Sequence, residues 1–269
     1  MNKTDKKHIS SNLESTLEGV RGQITFLGTG TSTGIPQIGC SCEVCTSTDP
    51  RDRRLRSSVL VNVNGVQILI DAGPDLRQQL LTNSVSNLDG ILITHEHYDH
   101  LGGIDDIRPL GNTTIYCEPN VASVLYRTMH YCFAEKRYPG VPRIELVEIS
   151  EDDFYLEKIK ITPIRVMHAK LPILGYRIGD FAYLTDVKTL PESSLEKLKG
   201  LKVLVINALR TEEHIAHLNV QEAIQIARKV NAEKTYFTHF SHHLGLHKEV
   251  NAKLPENIFL SYDNLSINL

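Results

Sequence analysis

The sequence predicts an α/β protein in which one large domain holds most of the chain. Short apolar runs with strand character alternate with amphipathic stretches, and the run from Leu201 to Asn207 has the continuous apolar pattern of a buried parallel strand. The chain has 269 residues, enough for one sizeable core, and no linker-like stretch divides it. We therefore expect a single domain over residues 21–269. Residues 1–20 are polar and lack apolar periodicity, which predicts a mobile leader.

The composition sets limits on the partners of the protein. Hydrophobic residues make up 41% of the chain and charged residues 23%, both ordinary for a globular protein. The net charge of -3 gives no general basic field, so bulk binding of polyanions is not favoured. The polar amino terminus lacks the apolar stretch of a signal peptide, and no apolar run reaches the length of a membrane span. We expect a cytoplasmic protein without a membrane partner. The composition does not exclude a homodimer.

The first elements lead to a cluster of histidines. A strand begins near Gln23, and the Gly/Thr/Ser loop after it lacks the amphipathic helix that would follow in a nucleotide-binding loop. Asn64-Gly65 joins two alternating runs, which is the strongest short signal for a β-hairpin. The second of these strands ends at Asp71, and a helix after Pro74 leads towards a further strand over Ile91–Thr94.

The stretch H-E-H-Y-D-H, which follows Ile91–Thr94 directly, predicts a metal centre. Alternate side chains of an extended segment share a face, so His95 and His97 can bind one cation from the same side. After a turn, Asp99 and His100 would point to a second position nearby. Imidazole and carboxylate ligands suit zinc, iron or manganese, and two adjacent sites of this kind form a dinuclear hydrolytic centre.

Three cysteines, Cys40, Cys42 and Cys45, form a second candidate metal site. Thiolates at C-x-C-x-x-C spacing can converge on one Zn²⁺, which needs a fourth ligand to complete a tetrahedral structural site. Our candidate for that ligand is His242, and the alternative is that the thiols are free and buried. The site would fix a long loop that has little core of its own.

The second half of the chain supplies further polar residues at the ends of predicted elements. Two strands lead to His168, and a hairpin delivers Asp186 at a strand end, where a carboxylate can bridge two cations. His217 precedes an amphipathic helix for which Asn219 is the expected N-cap. Another strand ends at His239.

Three more histidines follow His239. Because His239 and His242 are three residues apart, one can face the metal centre while the other turns to the cysteines. We expect His243 and His247 to lie on the surface.

The only basic cluster of the sequence lies between these regions. It contains four arginines, namely Arg51, Arg53, Arg54 and Arg56. A solvated loop is one interpretation, and contact with an anionic substrate or an RNA backbone is the other.

The motif H-E-H-Y-D-H resembles the H-x-H-x-D-H signature of the metallo-β-lactamase superfamily. The resemblance implies an αββα four-layer sandwich with two divalent metals, Zn²⁺ or Mn²⁺, at the edges of the sheets. It places Asp71, in the motif D-A-G, behind the histidine loop as an orienting carboxylate. The implied ligand sets are His95, His97 and His168 for one metal, Asp99, His100 and His239 for the other, and Asp186 between them.

Within the superfamily the chain is most similar to the phosphoribosyl cyclic phosphate phosphodiesterases of phosphonate breakdown. The similarity covers most of residues 23–245 and includes G-C-S-C-E-V-C, D-H-L-G-G-I-D-D-I-R-P-L and H-F-S-H, which would bring His242 to one structural Zn²⁺. The implied substrate is a small, cyclic phosphate diester. The motif H-L-N-V-Q-E-A also resembles ribonuclease Z, although no inserted arm for transfer RNA is evident. A metallo-hydrolase with another substrate is the third alternative.

The expected chemistry assigns roles to two residues besides the ligands. A two-metal centre lowers the pKa of a bridging water and binds the oxygens of an in-line displacement, which suits phosphate diesters. The leaving alkoxide needs a proton, and His217, beside the ligand set, is our candidate donor. Asp99 is counted as catalytic as well as a ligand.

Overall fold

A computed structural model describes residues 22–269. The leader expected over residues 1–20 lies outside these residues. The strands are β1 (Gly22–Gly28), β2 (Ser58–Val63), β3 (Val66–Ile70), β4 (Gly90–Leu92), β5 (Asn112–Cys117), β6 (Arg143–Glu148), β7 (Phe154–Leu156), β8 (Ile159–His168), β9 (Leu171–Ile178), β10 (Phe181–Leu184), β11 (Val203–Asn207), β12 (Lys234–Thr238), β13 (Ile258–Leu260) and β14 (Ser266–Asn268).

The α-helices are short and lie between these strands. They are α1 (Glu43–Thr46), α2 (Leu76–Thr82), α3 (Tyr98–Leu101), α4 (Pro119–Thr128), α5 (His130–Phe133), α6 (Glu192–Lys197), α7 (Val220–Val230) and α8 (His247–Asn251). Three 3₁₀ segments cover Pro50–Asp52, Ile104–Leu110 and His242–Leu244. Across residues 22–269, none of the helices has both the length and the apolar character that crossing a membrane requires.

The strands form two sheets of seven. The first sheet has the order β14-β1-β2-β3-β4-β5-β6, and its strands β3 to β6 are parallel. The second has the order β13-β12-β11-β10-β9-β8-β7, in which β10 to β13 are parallel. Both sheets are therefore mixed, with hairpins on one side and parallel strands on the other.

Local sequence signals explain several of these elements. The β2–β3 turn has positive φ at Asn64 (52°) and Gly65 (85°), as a two-residue type I′ hairpin requires. Helix α7 begins at a capping box, in which the Asn219 side chain accepts from the Glu222 N–H and the Glu222 carboxylate accepts from the Asn219 N–H. The strand expected over Ile91–Thr94 ends two residues earlier, at Leu92, because the chain leaves the sheet there to begin the histidine loop.

Buried side chains fall into three clusters that define four layers. The middle cluster lies between the sheets and includes Phe26 of β1 and Tyr176 of β9. A second cluster packs α7, through Ala223 and Ile224, against the outer face of the second sheet. In the third, Leu76 of α2 packs with residues of the first sheet and of α4. The order helix, sheet, sheet, helix is the αββα sandwich, so the predicted fold class is confirmed.

Both sheets present the carboxyl ends of parallel strands at one edge. Strands β3 and β4 are parallel neighbours in the first sheet. In the second sheet β8 and β10 each pair antiparallel with β9, so they run in the same direction, and β12 runs parallel to β10 through β11. Polar residues that follow these strand ends are consequently brought together.

Candidate metal centre

The structure brings the predicted ligands together as two sets of three. In each set one donor atom from every residue lies within 4.8 Å of the others, and the sets are His95, His97 and His168, and Asp99, His100 and His239. Asp186 lies within the same limit of His95 and His100, and of His168 and His217. These are the groupings that the resemblance implies, with Asp186 between them.

The donors lie at the ends of strands or in the segments that follow them at the shared edge. His95 comes after β4, His168 is the last residue of β8, and His239 follows β12 directly. Asp186 and His239 have positive φ angles of 56° and 59°, and so does Asp71 after β3, at 64°. Left-handed backbone at a residue other than glycine is uncommon and is concentrated at functional sites, where surrounding contacts hold it in place.

Hydrogen bonds orient three of the histidines. The His100 Nδ1 lies 2.7 Å from Asp71 Oδ2, the His168 Nδ1 lies 2.9 Å from the Ala216 carbonyl oxygen, and the His95 Nδ1 lies 3.0 Å from Thr94 Oγ1. Because an acceptor faces Nδ1, the proton belongs there and Nε2 is left to face the cluster.

The Asp71 carboxylate lies behind the histidine loop and contacts it, in the position that the resemblance implies. It accepts hydrogen bonds from the Thr94 N–H at 2.9 Å and from the Thr94 hydroxyl at 3.0 Å, in addition to its contact with His100. Thr94 and Ala216 did not emerge from the sequence as site residues. Thr94 directly precedes the histidine motif, and this position could have indicated a hydroxyl that links Asp71 to His95. The Ala216 carbonyl belongs to the backbone, so no side chain in the sequence indicates it.

The centre is electrostatically polarised. Burial opposes a charge on His100, but the carboxylates of Asp71, Asp186 and Asp99 outweigh this and hold its pKa well above the usual range. Burial likewise opposes ionisation of Asp186, yet His239 and His100 keep the pKa of that carboxyl well below its usual range. Burial and the charge of His100 lower the pKa of His95. The carboxylates of Asp71, Asp99 and Asp186 therefore favour positive charge at the centre of the cluster.

The donor set fits divalent cations. Three buried nitrogens, His100 Nε2 and both ring nitrogens of His239, have no hydrogen-bond partner among residues 22–269. His100 Nε2 lies 3.2 Å from an oxygen of Asp99 and 3.2 Å from an oxygen of Asp186. Buried polar atoms are seldom left unpaired, and a cation would satisfy His100 Nε2, one ring nitrogen of His239 and the facing carboxylates together. His97 is the exposed member of its set, so the cluster opens to solvent on that side.

His217 lies against this cluster. Its Nδ1 is buried, has no hydrogen-bond partner in the described part of the chain and lies 3.6 Å from Asp186 Oδ1. Its ring centroid lies 4.6 Å from that of His168. Burial lowers the pKa of His217 to about 3. The sequence predicts a position outside the two ligand sets, and the structure places His217 in contact with both of them.

The cysteine cluster forms a separate group of donors. One atom from each of Cys40, Cys42, Cys45 and His242 lies within 4.8 Å of the others, and the sulfurs of Cys40 and Cys42 are each 3.3 Å from His242 Nδ1. Contact with His242 lowers the pKa of the Cys42 thiol to about 6, whereas burial raises that of Cys45 to about 11. Three sulfurs and one imidazole nitrogen are a donor set that suits tetrahedral Zn²⁺.

Two expectations for the polar residues outside these clusters are wrong. His247 is not on the surface; it is 4% exposed, and Arg54 Nη2 lies 3.1 Å from its Nδ1. The interpretation of the arginine run as a solvated loop holds only for the exposed Arg53, because Arg54 is buried, Arg51 pairs with Asp49 at 2.7 Å and Arg56 pairs with a carboxylate at 3.0 Å. Arginine side chains in one sequence run point in different directions when the segment is a twisted loop, which sequence spacing does not show.

The fold and the donor set are of the kind found in metal-dependent hydrolases. A family model described as a beta-lactamase superfamily domain matches residues 67–240, from β3 to just beyond His239. The chain belongs to this superfamily, and the resemblance seen in its histidine motif is confirmed at that level.

Several solved structures share the fold. A structure described as a new diphosphatase from the PhnP family has a TM-score of 0.87 and 39% identity, covering 93% of this chain and 97% of that one. Zn²⁺-bound PqqB from Methylobacterium extorquens has a TM-score of 0.77 and 17% identity over 92% and 100% of the two chains. Human short-form tRNase Z has a TM-score of 0.64 and 21% identity over 91% and 98%. The last two similarities show the fold alone.

A sequence relative adds a further comparison. An octanoyltransferase from Porphyromonas gingivalis is 42% identical over 246 residues, which cover 89% of this chain and 50% of that protein. The chain therefore spans about half the length of this curated relative.

Proposed function

We propose that the protein is a dinuclear phosphodiesterase that hydrolyses a small phosphate diester, such as a phosphoribosyl cyclic phosphate. The observation that carries the proposal is the pair of three-donor sets that share Asp186. His95, His97 and His168 would hold one cation, Asp99, His100 and His239 the other, and Asp186 would bridge them. The donors suit Zn²⁺ or Mn²⁺. The similarity to a diphosphatase of the PhnP family supports a phosphorus ester or anhydride as the substrate.

Two divalent cations, when bound, supply Lewis acidity and lower the pKa of water. The protein's own part is to hold and orient the donors. Asp71 keeps the His100 Nδ1 protonated, and the Ala216 carbonyl does the same for His168, so that each presents Nε2. The exposed His97 marks the side from which a small diester would enter.

His217 is the proposed proton donor for the leaving oxygen. It lies beside Asp186 and His168, within reach of an ester bound at the centre. A neutral imidazole cannot serve as this acid, but an anionic ester beside the ring favours the imidazolium form and raises its pKa. The same position lets the ring orient a substrate oxygen.

Leaving-group dependence tests this role. p-Nitrophenolate leaves without protonation, whereas a ribose alkoxide needs a proton, so His217→Asn should lower kcat for a ribosyl cyclic phosphate by roughly 100-fold or more. For bis-p-nitrophenyl phosphate the loss should be much smaller. The exposed His130 offers a control, and His130→Asn should change neither rate. Equal losses on both substrates would contradict the proton-donor role.

RNA processing is the second candidate function. Human tRNase Z shares the fold. The arginine run proposed for RNA contact is largely committed to internal contacts, because Arg54 is buried and Arg51 and Arg56 are paired. This favours a small substrate. Salt-dependent RNA binding that disappears in an Arg53→Glu variant would reverse the preference.

The octanoyltransferase name does not decide between these functions. It describes a protein of which the chain spans about half, so the named activity can belong to the remainder of that protein. Hydrolysis of phosphate diesters at the proposed metal centre distinguishes between these functions. Failure to hydrolyse any phosphate diester with either Zn²⁺ or Mn²⁺ would favour a metallo-hydrolase with another substrate.

We also propose that Cys40, Cys42, Cys45 and His242 bind one structural Zn²⁺. Cys42→Ser should remove one metal per chain by elemental analysis and lower the thermal midpoint, because a structural site contributes its binding free energy to folding. Cys132→Ser is the control, since this buried thiol lies outside the cluster. It should lower the midpoint without changing the metal count. An unchanged metal count in Cys42→Ser would contradict the site.

A further inference from the structure

Thr185, the residue before the shared carboxylate of Asp186, contacts that carboxylate directly. Thr185 follows β10, and both residues are buried. The Thr185 hydroxyl donates a hydrogen bond of 2.6 Å to Asp186 Oδ2. An ionised carboxylate can only accept, so the hydroxyl is the donor. The side chain that would join the two cations therefore has a partner within the protein.

Asn207 fixes the backbone on the other side of Asp186. The Asn207 side chain, at the end of β11, accepts from the Val187 N–H at 2.7 Å and donates to the Val187 carbonyl oxygen at 3.1 Å. Asn207 is fully buried, where hydrogen bonds are stronger than in water. Because the backbone of this segment is held, the torsion angles of the Asp186 side chain are the freedom that remains.

Both carboxylate oxygens of Asp186 face ligands of the second set. Oδ2 lies 3.2 Å from His100 Nε2, and Oδ1 lies 3.3 Å from His239 Nε2. The terminal torsion of an aspartate is broad, and a quarter turn about it would move both oxygens away from these positions. The same turn would break the 2.6 Å hydrogen bond from Thr185. The hydroxyl of Thr185 therefore restricts the rotation of the carboxylate.

Thr238 provides a comparison within the same sheet. It directly precedes the ligand His239, as Thr185 precedes Asp186, and both threonines are fully buried. Asp186 and His239 also share positive φ angles. The Thr238 hydroxyl, however, has no hydrogen-bond partner within residues 22–269. A position before a ligand therefore does not by itself give a threonine a contact with that ligand.

We propose that Thr185 is a positioning residue, which orients the Asp186 carboxylate so that the centre can hold two cations at the same time. This inference rests on the proposed dinuclear phosphodiesterase centre. Each ligand set offers three donors to a single ion without Asp186. Two adjacent ions repel each other, however, and a carboxylate shared between them offsets that repulsion. Loss of the Thr185 hydroxyl should therefore weaken binding of the second ion more than binding of the first.

Titration of the metal-free protein with Mn²⁺, followed by electron paramagnetic resonance, measures this effect. Mn²⁺ prefers oxygen ligands to thiolates, so it reports on the centre rather than on the cysteine cluster. Two Mn²⁺ ions bound next to each other couple magnetically, and their spectrum differs from those of free and singly bound Mn²⁺. The titration yields the affinity for each ion and shows whether the pair forms.

Thr185→Val removes the hydroxyl at nearly unchanged shape. It should lower the affinity for the second Mn²⁺ by about 10- to 100-fold, the range typical of a lost contact that orients a metal ligand. Thr185→Ser keeps the hydroxyl and should stay close to the wild type. Thr238→Val is the matched control and should bind both ions as the wild type does. If Thr185→Val fails to fold, the comparison of Thr185→Ala with Thr185→Ser decides in the same way.

A purely structural role of Thr185 would lower the thermal midpoint of the metal-free protein and leave both affinities unchanged. That result would overturn the proposal. Equal losses of affinity in Thr185→Val and Thr185→Ser would also overturn it, as would a loss in Thr238→Val as large as that in Thr185→Val.

Turnover of bis-p-nitrophenyl phosphate by the wild type separates these results from a failure of the proposed function. If the wild type binds a coupled pair of Mn²⁺ ions but cleaves no phosphate diester, the phosphodiesterase proposal is wrong, and the titration still decides the role of Thr185. If the wild type forms no coupled pair, the role of Thr185 is wrong together with the dinuclear centre.

Discussion

Single hydrogen bonds decide which nitrogen each histidine presents. Asp71 and the Ala216 carbonyl fix the Nδ1 atoms of His100 and His168, and the fixed rings project Nε2 into the cluster. A ring without such a partner could rotate or change tautomer, which would lower the affinity of the site for a cation. The ligand types were predictable from the sequence because the motif contains them. The Ala216 carbonyl, as the partner of His168, was not predictable, since every residue has a backbone carbonyl.

Another buried histidine, His247, gives the fold a dependence on pH. Its Nδ1 faces the guanidinium of Arg54 at 3.1 Å, so this nitrogen must accept and the ring must be neutral. Burial, together with the Arg54 charge, lowers the pKa of His247 to about 4. The folded-state pKa lies below the unfolded value, so the stability contributed by the neutral ring is present above pH 6.5 and is lost as pH falls towards 4.

We predict that the free energy of unfolding of the wild type falls by roughly 3 kcal/mol more than that of His247→Asn when pH is lowered through this window. Urea denaturation of both proteins at several pH values measures the difference. Titration of the metal ligands is common to both proteins and cancels in the comparison. His130→Asn, at an exposed position, should follow the wild-type curve. Parallel curves for wild type and His247→Asn would show that His247 does not titrate as proposed.

At the level of elements, the centre depends on how closely the loops that follow β3 and β4 approach each other. Ala72, the residue before Gly73, donates its N–H to the His100 carbonyl oxygen. A Cβ atom built on Gly73 would lie 2.0 Å from the Asp99 carbonyl oxygen. Only glycine allows this approach. The sequence D-A-G could be recognised as a motif, but the distance that makes its glycine necessary is a tertiary property.

Gly73→Ala should therefore displace α3, which carries Asp99 and His100. We predict a loss of metal from the centre and a fall of roughly 100-fold in diester turnover, as expected for a displacement of about 1 Å at reacting groups. Gly111→Ala is the control, because Gly111 has positive φ (82°) but open space around its Cβ position. This variant should lose stability and keep its turnover. Wild-type turnover in Gly73→Ala would show that α3 tolerates the shift.

For the whole molecule, the sequence pattern predicted individual strands, turns and helix caps better than the surroundings of polar side chains. Strand periodicity, the Asn64-Gly65 turn and the α7 capping box are local signals, and the structure contains each of them. The assembly of His95, Asp186 and His239 depends on strand order in two sheets, which periodicity does not encode; the resemblance to a known family supplied it. The burial of Arg54 and His247 was not predicted, because a polar cluster inside the fold has no recognisable pattern in the sequence.

We propose that two cations held by these scattered side chains make the protein a phosphodiesterase. The most direct test is to remove all metal, reload with Zn²⁺ or Mn²⁺, and measure metal content and hydrolysis of bis-p-nitrophenyl phosphate in the same samples. We predict no turnover in the metal-free protein, and turnover that reaches its maximum when two ions are bound in addition to the one at the cysteine cluster. Full turnover without metal, or none in the fully loaded protein with either ion, would contradict the account.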